Sequence, residues 1–513
     1  MKNLSEISNP VRNKFLNGAN GVKILLVWPK FQDTFWSFKY ALPFLGKKAA
    51  YPPLGLLTVA ALLPKEWQKK LVDLNVEKLK DKDVLEADFI FLSAMIAQKK
   101  SVKEIIKIIK KYNKKIVAGG PLFTTGYKNY LKEIDHFVLG EAEITLPPFL
   151  EDLEKGSLKK IYKAENFCDL RKSPTPLFGL IDFKKYASLP IQYSRGCPFN
   201  CEFCDIKVLC GPIQRTKTRE QILNELTTLY EKNWREGIFF VDDNFIGNKE
   251  KLKIEILPAI IEWQKERNFP FTFITQASIN LADDEKLMDA MVEAGFKSVF
   301  VGIESVEEES LKECKKFQNV NRDLLKSVKI IQAHGLEVQG GFILGFDSDT
   351  PSVFERIKNF IQKSGICAAM VGLLQAPPMT RLWERLKKEK RLLGEPSGEN
   401  TDGTLNFIPK MKKEILISGY KRIVKILYKP KNYYQRIINF LRNYKPKRTS
   451  FRLDLQHFFA FLKSIWYLGI KDRERFHYWK LLFWTLIKRP KSFPKAIELA
   501  IFGFHFRKSF EKI

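Results

Sequence analysis

The chain has 513 residues and a mass of 59.7 kDa, enough for roughly two to four domains of ~100–200 residues each. With 45% hydrophobic and 28% charged residues it should fold around ordinary cores, and seven cysteines are too few for a disulfide scaffold. Lys and Arg number 87 against 58 Asp and Glu, and the net charge of +29 suggests nucleic acid, an anionic membrane surface or general solubility.

No apolar run reaches the ~18–20 residues of a membrane span. The first twenty residues lack the apolar centre of a secretory signal, so a cytoplasmic setting is expected. From Val22 to about Leu150, apolar runs such as VKILLVW, KKLVDLN, DFIFLSA and KIVAGG alternate with helical stretches such as SVKEIIKIIKKY. Continuous runs of this kind predict parallel strands buried on both faces, hence a doubly wound α/β domain over residues 21–155. Ligands of such sheets sit at the carboxyl ends of strands. Gly119, Gly120, Gly140 and Glu141 fall at such ends.

A polar stretch with Pro174, Pro176 and Gly179 follows, and residues 156–188 are expected to be a linker. A second alternation occupies 189–393. Its strands are PIQYS, GIFFVDD, FTFITQA, SVFVGIE, EVQGGFILGF and AAMVGLLQA, with helical stretches at 218–233, 249–266, 283–293, 322–333 and 351–364. Six β/α units in roughly 200 residues are too few for a closed eight-unit barrel. A six-unit open barrel or another doubly wound sheet fits the count.

Residues 394–404, GEPSGENTDGT, carry turn chemistry and mark a linker or lid. The rest, 405–513, is predicted helical. It holds 26 Lys and Arg against 6 Asp and Glu, and 23 of the 66 aromatics. Basic and aromatic together is an interfacial composition. FFAFLKSIWYLGIK, YWKLLFWTLIKR and FPKAIELAIFGFHFRK place apolar side chains at helical spacing with Lys or Arg at their ends. Such stripes either lie in a membrane interface or pack on the barrel, and both readings stay open.

The strongest local signal is YSRGCPFNCEFCDI, where Cys197, Cys201 and Cys204 are spaced C-x3-C-x2-C after the first strand of the second domain. Three thiolates on one tight loop suit three irons of a 4Fe–4S cluster, leaving the fourth iron open. The alternative is structural zinc with Cys210 as fourth ligand, although that spacing lacks the paired C-x2-C units of most zinc sites.

This loop, with Phe203 before its last cysteine, resembles the radical S-adenosylmethionine (SAM) superfamily. The resemblance implies that the open iron binds SAM and that an electron from the cluster cleaves it to a 5′-deoxyadenosyl radical. Later strand ends fit the pattern. Gly302-Ile303-Glu304-Ser305 resembles the fourth-strand motif near the SAM ribose. Gly341 to Asp347 resembles the fifth-strand motif beside adenine, with Gly341 and Gly345 as its glycines. Asp242 and Asp243 end the second strand, where contacts to the SAM amino group are expected, and Gln276 ends the third. Helix caps and relief of crowding are the plainer readings of these residues.

An α/β domain directly before such a barrel resembles the cobalamin-binding radical SAM subclass. Contacts to cobalamin are then expected from Pro29, Phe35, Trp36, Tyr51, Gly55, Ala94, Gly119, Gly120, Gly140 and Glu141. The D-x-H-x-x-G motif that ligates cobalt from below is absent, and His136, in Asp135-His136-Phe137, reads as a strand-end residue. KKAAYPPLGLLTVAALLP, VLGEAE, VDDNFIGNK and GYKRIVKILYKPKNYY extend the resemblance to one branch, which has an uncharacterised C-terminal domain and includes the hopanoid C2 methylase.

The expected architecture is therefore a Rossmann-like cobalamin domain, a partial six-unit radical SAM barrel and a helical basic C-terminal domain. The resemblance implies a C-methyltransferase acting on an unactivated carbon of a hydrophobic substrate. Cluster, SAM and cobalamin are the implied cofactors, with an electron donor such as flavodoxin or ferredoxin. A cobalamin-dependent oxidoreductase, cyclase or carbon–carbon coupling enzyme is the alternative. Nucleic acid is not an expected partner, because the basic tail has no recognisable RNA-binding motif. Radical methylthiotransferases need three further N-terminal cysteines, and residues 1–167 contain none. Peripheral contact with the inner face of a membrane fits the tail. No catalytic side chain is singled out.

Overall fold

Both apolar alternations become parallel sheets of six strands. The computed structural model describes residues 21–446 and 455–511; residues 1–20, read above for a signal segment, and 447–454 of the basic tail lie outside them. The first sheet contains β1 (Lys23–Trp28), β2 (Gln68–Asp73), β3 (Phe89–Ser93), β4 (Lys115–Gly119), β5 (His136–Leu139) and β6 (Ile161–Lys163), in the order β2-β1-β3-β4-β5-β6. Chain order reverses between β1 and β3, so the switch point lies at the carboxyl ends of those strands. Helix Lys99–Lys111 buries Val102, Ile105, Ile106 and Ile109 on one stripe and turns most of its lysines outward.

β6 arises from residues expected to be linker. Only Tyr162 of its three residues is buried, donating a 3.0 Å hydrogen bond to Asp152. One inward side chain gives too little alternation to announce a strand.

The second sheet begins with β7 (Ser188–Ile191). A small antiparallel ladder follows, β8 (Ser194–Arg195) with β9 (Arg215–Thr216). Then come β10 (Gly237–Phe240), β11 (Thr272–Gln276), β12 (Phe296–Glu304), β13 (Glu337–Leu344) and β14 (Ala369–Leu373). The order is β14-β13-β12-β11-β10-β7, an open six-stranded barrel rather than a second doubly wound sheet. Register pairs Phe239 with Ile274, Gln276 with Phe300, and Gly302 with Gly341 and through it Met370. Paired residues of parallel strands share a face, and this is the concave one.

The open side lies between edge strands β14 and β7, and residues 35–51 cross it. At one end the indole N–H of Trp36 donates to the Met370 sulfur at 2.9 Å. At the other, the Ser188 amide donates to the Ala50 carbonyl at 3.0 Å. The crossing thus closes the barrel with a piece of the first domain.

Helices Lys413–Leu427, Pro430–Asn443, Leu455–Ser464, Arg475–Lys488 and Phe493–Phe510 complete the chain. Tyrosines seat them: Tyr428 donates to the Ala369 carbonyl at 2.6 Å and Tyr420 to that of Thr401 at 2.7 Å. Lys495 reaches buried Glu337 at the amino end of β13, at 2.5 Å, and closes that end of the barrel. Helix Phe493–Phe510, one of the three expected interfacial stripes, is a core element, with Leu499, Ala500, His505 and Phe506 buried. Among the described residues no helix is long and apolar enough to cross a membrane.

Candidate cofactor and substrate site

The cysteine loop is held at its base by the β8–β9 ladder. Gly196 there has φ +91°, and a Cβ on it would stand 2.4 Å from the Ile213 carbonyl oxygen. Only glycine allows this approach. Cys197, Cys201 and Cys204 follow, none in a disulfide and all partly exposed. Burial raises all three thiol pKa values, while the nearby Lys316 charge acts the other way. Among the described residues no three His, Cys, Asp or Glu side chains are grouped to hold a single metal ion. A 4Fe–4S cluster gives each thiolate its own iron, so it suits three donors spread along a loop. The donor set fits that group.

Two acidic residues at the β10 end brace the loop. Asp242 is fully buried, and its carboxylate accepts from the Ser194 hydroxyl and amide and from the Tyr193 amide at 3.1 Å. Burial pushes its pKa up to about 7. This geometry gives Asp242 the work of fixing the loop base. Asp243 accepts from the Gly196 amide at 3.1 Å through one oxygen. The other flank is tied by Glu202, which takes two hydrogen bonds from Arg385 at 2.8 and 3.1 Å. Arg385 and Arg391 also grip Asp347; burial opposes them, but they hold that carboxyl down to about 2.

Glu304 ends β12 with φ +63°, turned inward and bonded to Lys316 Nζ at 2.9 Å. Burial would lower the Lys316 pKa, but the charges of Glu304 and Cys201 outweigh it and raise it. The pair borders the cluster loop, where a charged ligand such as SAM would find both signs. Ser305 is buried and accepts from the Glu307 amide at 3.1 Å, a turn-forming bond. Gln276 is half-buried on the concave face beside Phe300. Gly341 leaves room for the Phe300 ring, which would be 2.8 Å from a Cβ there. Gly345 donates its amide to Asp349 at 2.8 Å, and Phe203 packs against Phe346 at 6.2 Å.

At the carboxyl edge of the first sheet, Gly55 and Gly140 are exposed, and a Cβ on either would meet no atom within 4 Å, so the backbone there is open to close approach by a ligand. That is the observation here that fits a large planar cofactor. Gly119 and Gly120 are glycine for another reason, since side chains would strike the Val138 carbonyl and Ser93. The Pro29 carbonyl is taken by Gln98 and Asn75. Ala94 is buried and its carbonyl accepts from Leu122. Phe35 is buried and stacks on Phe506 at 4.1 Å, away from the edge. Tyr51 leans on Phe239 of the barrel at 5.1 Å, and burial raises its hydroxyl to about 12. His136 is at the amino end of β5, bonded to the Lys159 carbonyl, so it stands at the opposite end of the strand from Gly140.

Glu141 does not present a free carboxylate. Arg215 binds it at 2.8 and 3.0 Å, and Arg195, which precedes the cysteine loop, binds Glu143 at 2.8 Å and approaches Glu141 at 3.4 Å. These pairs fasten the sheet edge of the first domain to the base of the cysteine loop. Residues 394–404 span the same gap from above. Gly398 (φ +78°) rests on the Ile96–Ala97 backbone, and Glu395 pairs with Lys99.

Lys316, Arg195, Arg385 and Asp349 escaped the sequence reading; Glu143 stood in the strand-end run Gly140-Glu141-Ala142-Glu143, but its partner Arg195 did not show. Lysines and arginines in charged surroundings read as solvated. Only Asp349, in the turn Asp347-Ser348-Asp349, carried a local signal.

Family models match residues 48–150 (B12 binding domain), 191–361 (Radical SAM superfamily) and 380–513 (domain of unknown function, DUF4070). The chain is 43% identical to an uncharacterized methyltransferase of Synechocystis sp., over 94% of this chain and 91% of that one. It is 32% identical to the hopanoid C-2 methylase of Rhodopseudomonas palustris, over 92% and 91%. The radical SAM methyltransferase TsrM of Kitasatospora setae, solved with cobalamin and a 4Fe–4S cluster, has a TM-score of 0.64 at 13% identity, covering 90% of this chain and 98% of that one. OxsB, a cobalamin-dependent SAM radical enzyme solved with aqua-cobalamin, has a TM-score of 0.63 at 16% identity, covering 97% and 81%. At such identities the two structures establish a common fold.

Proposed function

The chain belongs to the radical SAM proteins that carry a B12-binding domain before the barrel and a DUF4070 domain after it, and from that membership we propose a C-methyltransferase acting on an unactivated carbon of a hydrophobic substrate. A hopanoid- or isoprenoid-like lipid is the first candidate, a pigment side chain the second. The enzyme works with a 4Fe–4S cluster, SAM and cobalamin. Bound together, these supply hydrogen-atom abstraction and a methyl group for a carbon with neither an acidic proton nor a nucleophile.

The protein's own work is to bind, orient and keep water out. Cys197, Cys201 and Cys204 would hold the cluster. Glu304, Lys316 and Asp243 border it and offer SAM both charge signs. The edge around Gly55 and Gly140 would receive cobalamin. An electron donor such as flavodoxin or ferredoxin would reduce the cluster, and a peripheral position on the inner face of a membrane would suit a lipid substrate.

The observation that carries the substrate reading is the concave face of the barrel. Phe239, Ile274, Phe300 and Met370, with Trp36 and Tyr51 inserted from the first domain, are each half-buried inside the protein. They make this face of the barrel and the segment against it apolar, with Trp36 against Phe300 and Met370 and Tyr51 against Phe239. An apolar lining recognises hydrocarbon and excludes water.

The test is anaerobic incubation of the reconstituted enzyme with methyl-labelled SAM and separate lipid and pigment extracts. Label in one hydrophobic product supports the proposal and names the class. Label only in polar fractions contradicts it.

A further inference from the structure

The C-terminal helices do not spend all of their apolar surface on the core. In Leu455–Ser464 and the π-helical turn after it, Leu455, Phe458, Phe459, Leu462, Trp466 and Ile470 recur at helical spacing and are exposed, Leu455 to 75%. Helix Arg475–Lys488 adds a second stripe of Phe476, Phe483, Leu486 and Ile487, with Phe476 71% and Ile487 74% exposed. Single exposed apolar residues are ordinary, but ten on adjoining helices are not.

The charge around them is mainly positive. Lys471, Arg473, Arg475, Lys480 and Lys488 are exposed in this region, whose acidic residues are Asp472 and Glu474. Asp472 is met by Arg507 of the terminal helix. The Lys471 ammonium sits 5.1 Å from the Trp466 ring and 5.8 Å from that of Tyr467. Lys480 lies between the apolar residues of its own stripe. Long basic side chains beside aromatic rings are what an interface between hydrocarbon and anionic headgroups accommodates.

The position of this surface matters as much as its chemistry. Helix Leu455–Ser464 lies on residues 42–45, part of the segment that crosses the open side of the barrel. Lys463 Nζ donates to the carbonyls of Pro43 at 2.9 Å and Phe44 at 3.3 Å. The Phe44 ring meets that of Tyr467 at 5.6 Å. Further along the same segment, Trp36 contacts Phe300 and Met370 inside the barrel.

We propose that the exposed face of residues 455–488 docks the enzyme onto an anionic lipid bilayer, over the open side of the barrel. Its aromatic and aliphatic stripes enter the headgroup–acyl boundary and its Lys and Arg side chains meet anionic headgroups. The proposal rests on the reading of a hydrophobic substrate and adds the route: substrate held in the membrane meets the barrel at the side closed by residues 35–51.

The test is vesicle flotation of the full-length protein with equal parts phosphatidylglycerol and phosphatidylcholine, compared with phosphatidylcholine alone. Wild type floats with the anionic vesicles at low salt, and salt weakens the attachment. Trp466→Ser, Phe483→Ser and Ile487→Ser each lower partitioning about tenfold, the scale of losing one large buried apolar side chain. Lys480→Glu with Lys488→Glu lowers it on anionic vesicles only. Wild type remaining in the soluble fraction at low salt overturns the proposal. So does concentration-dependent dimerisation that Trp466→Ser abolishes without any vesicle binding, which would make the face a contact between two copies. SAM cleavage is assayed alongside in vesicle-free buffer. Cleavage without flotation removes the docking surface alone, and flotation without cleavage removes the enzymatic reading alone.

Discussion

Lys316 Nζ and Glu304 Oε1 are 2.9 Å apart, in the space that a side chain on Gly302 would fill. The strand must therefore carry glycine two residues before its acidic end. Lys316→Met leaves the carboxylate buried without its counter-charge, a change that costs about 3–5 kcal/mol. Urea unfolding should show that loss, and pairing it with Glu304→Gln should recover most of it. Equilibrium dialysis should find SAM binding weakened in both variants. Full SAM affinity in the double variant would leave the pair a purely structural role.

Gly196→Ala should disturb the cysteine loop without touching a cysteine. Its methyl group would enter the space of the Ile213 carbonyl, and φ +91° is unfavourable for alanine. After anaerobic reconstitution the wild type should hold about four irons and four sulfides per chain. The variant should hold less than half of that, like Cys197→Ala, Cys201→Ala and Cys204→Ala. Cys210→Ala should retain the full content, whereas a zinc site using Cys210 would lose its metal.

The two sheets were legible because burial on both faces writes uninterrupted apolar runs such as KILLVW and EVQGGFIL. The cysteine loop was legible because its ligands sit within eight residues of sequence. What fastens the parts together was not. Arg195 and Glu143 are 52 residues apart, Arg385 and Glu202 are 183 apart, and nothing local marks either pairing. The loop-bracing bonds of Asp242 were hidden for a related reason. A strand-end carboxylate reads the same whether it meets a ligand or the backbone of the next loop. The tail was ambiguous because a core helix and an interfacial helix share one apolar period; burial separates Phe493–Phe510 from Arg475–Lys488.

Acid should loosen the attachment of the terminal helix. His505 is buried and donates from Nε2 to the Phe35 carbonyl at 2.8 Å, while its Nδ1 faces the Tyr40 amide at 3.4 Å and must stay unprotonated to accept. Burial lowers its pKa to about 4 from the ordinary 6.5. As pH falls through that window the unfolded chain takes up the proton first, so stability declines between pH 6.5 and 4 and levels off below. The full loss is about 3 kcal/mol. His505→Gln keeps a donor for Phe35 and should flatten this part of a melting-temperature profile against pH. An unchanged slope would assign the acid loss to other groups.

The segment over the gap between domains should open when its closest approach is blocked. A Cβ on Gly398 would stand 2.6 Å from the Ala97 amide nitrogen. Gly398→Val should therefore release residues 394–404 from the first domain. Cleavage at Glu395 or Glu399 by a glutamate-specific protease should then be faster than in wild type. Equal cleavage rates would mean that the segment is held elsewhere.

The most direct test of the account is the fate of the SAM methyl group. Enzyme reconstituted anaerobically with cluster and cobalamin is given trideuteromethyl SAM, a strong reductant and the hydrophobic extract that supports turnover. The account predicts a carbon-methylated lipid or pigment that carries all three deuterons, formed together with 5′-deoxyadenosine. A hydrophobic product without deuterium, formed while 5′-deoxyadenosine accumulates, would contradict methyl transfer and make the protein an oxidoreductase, cyclase or coupling enzyme.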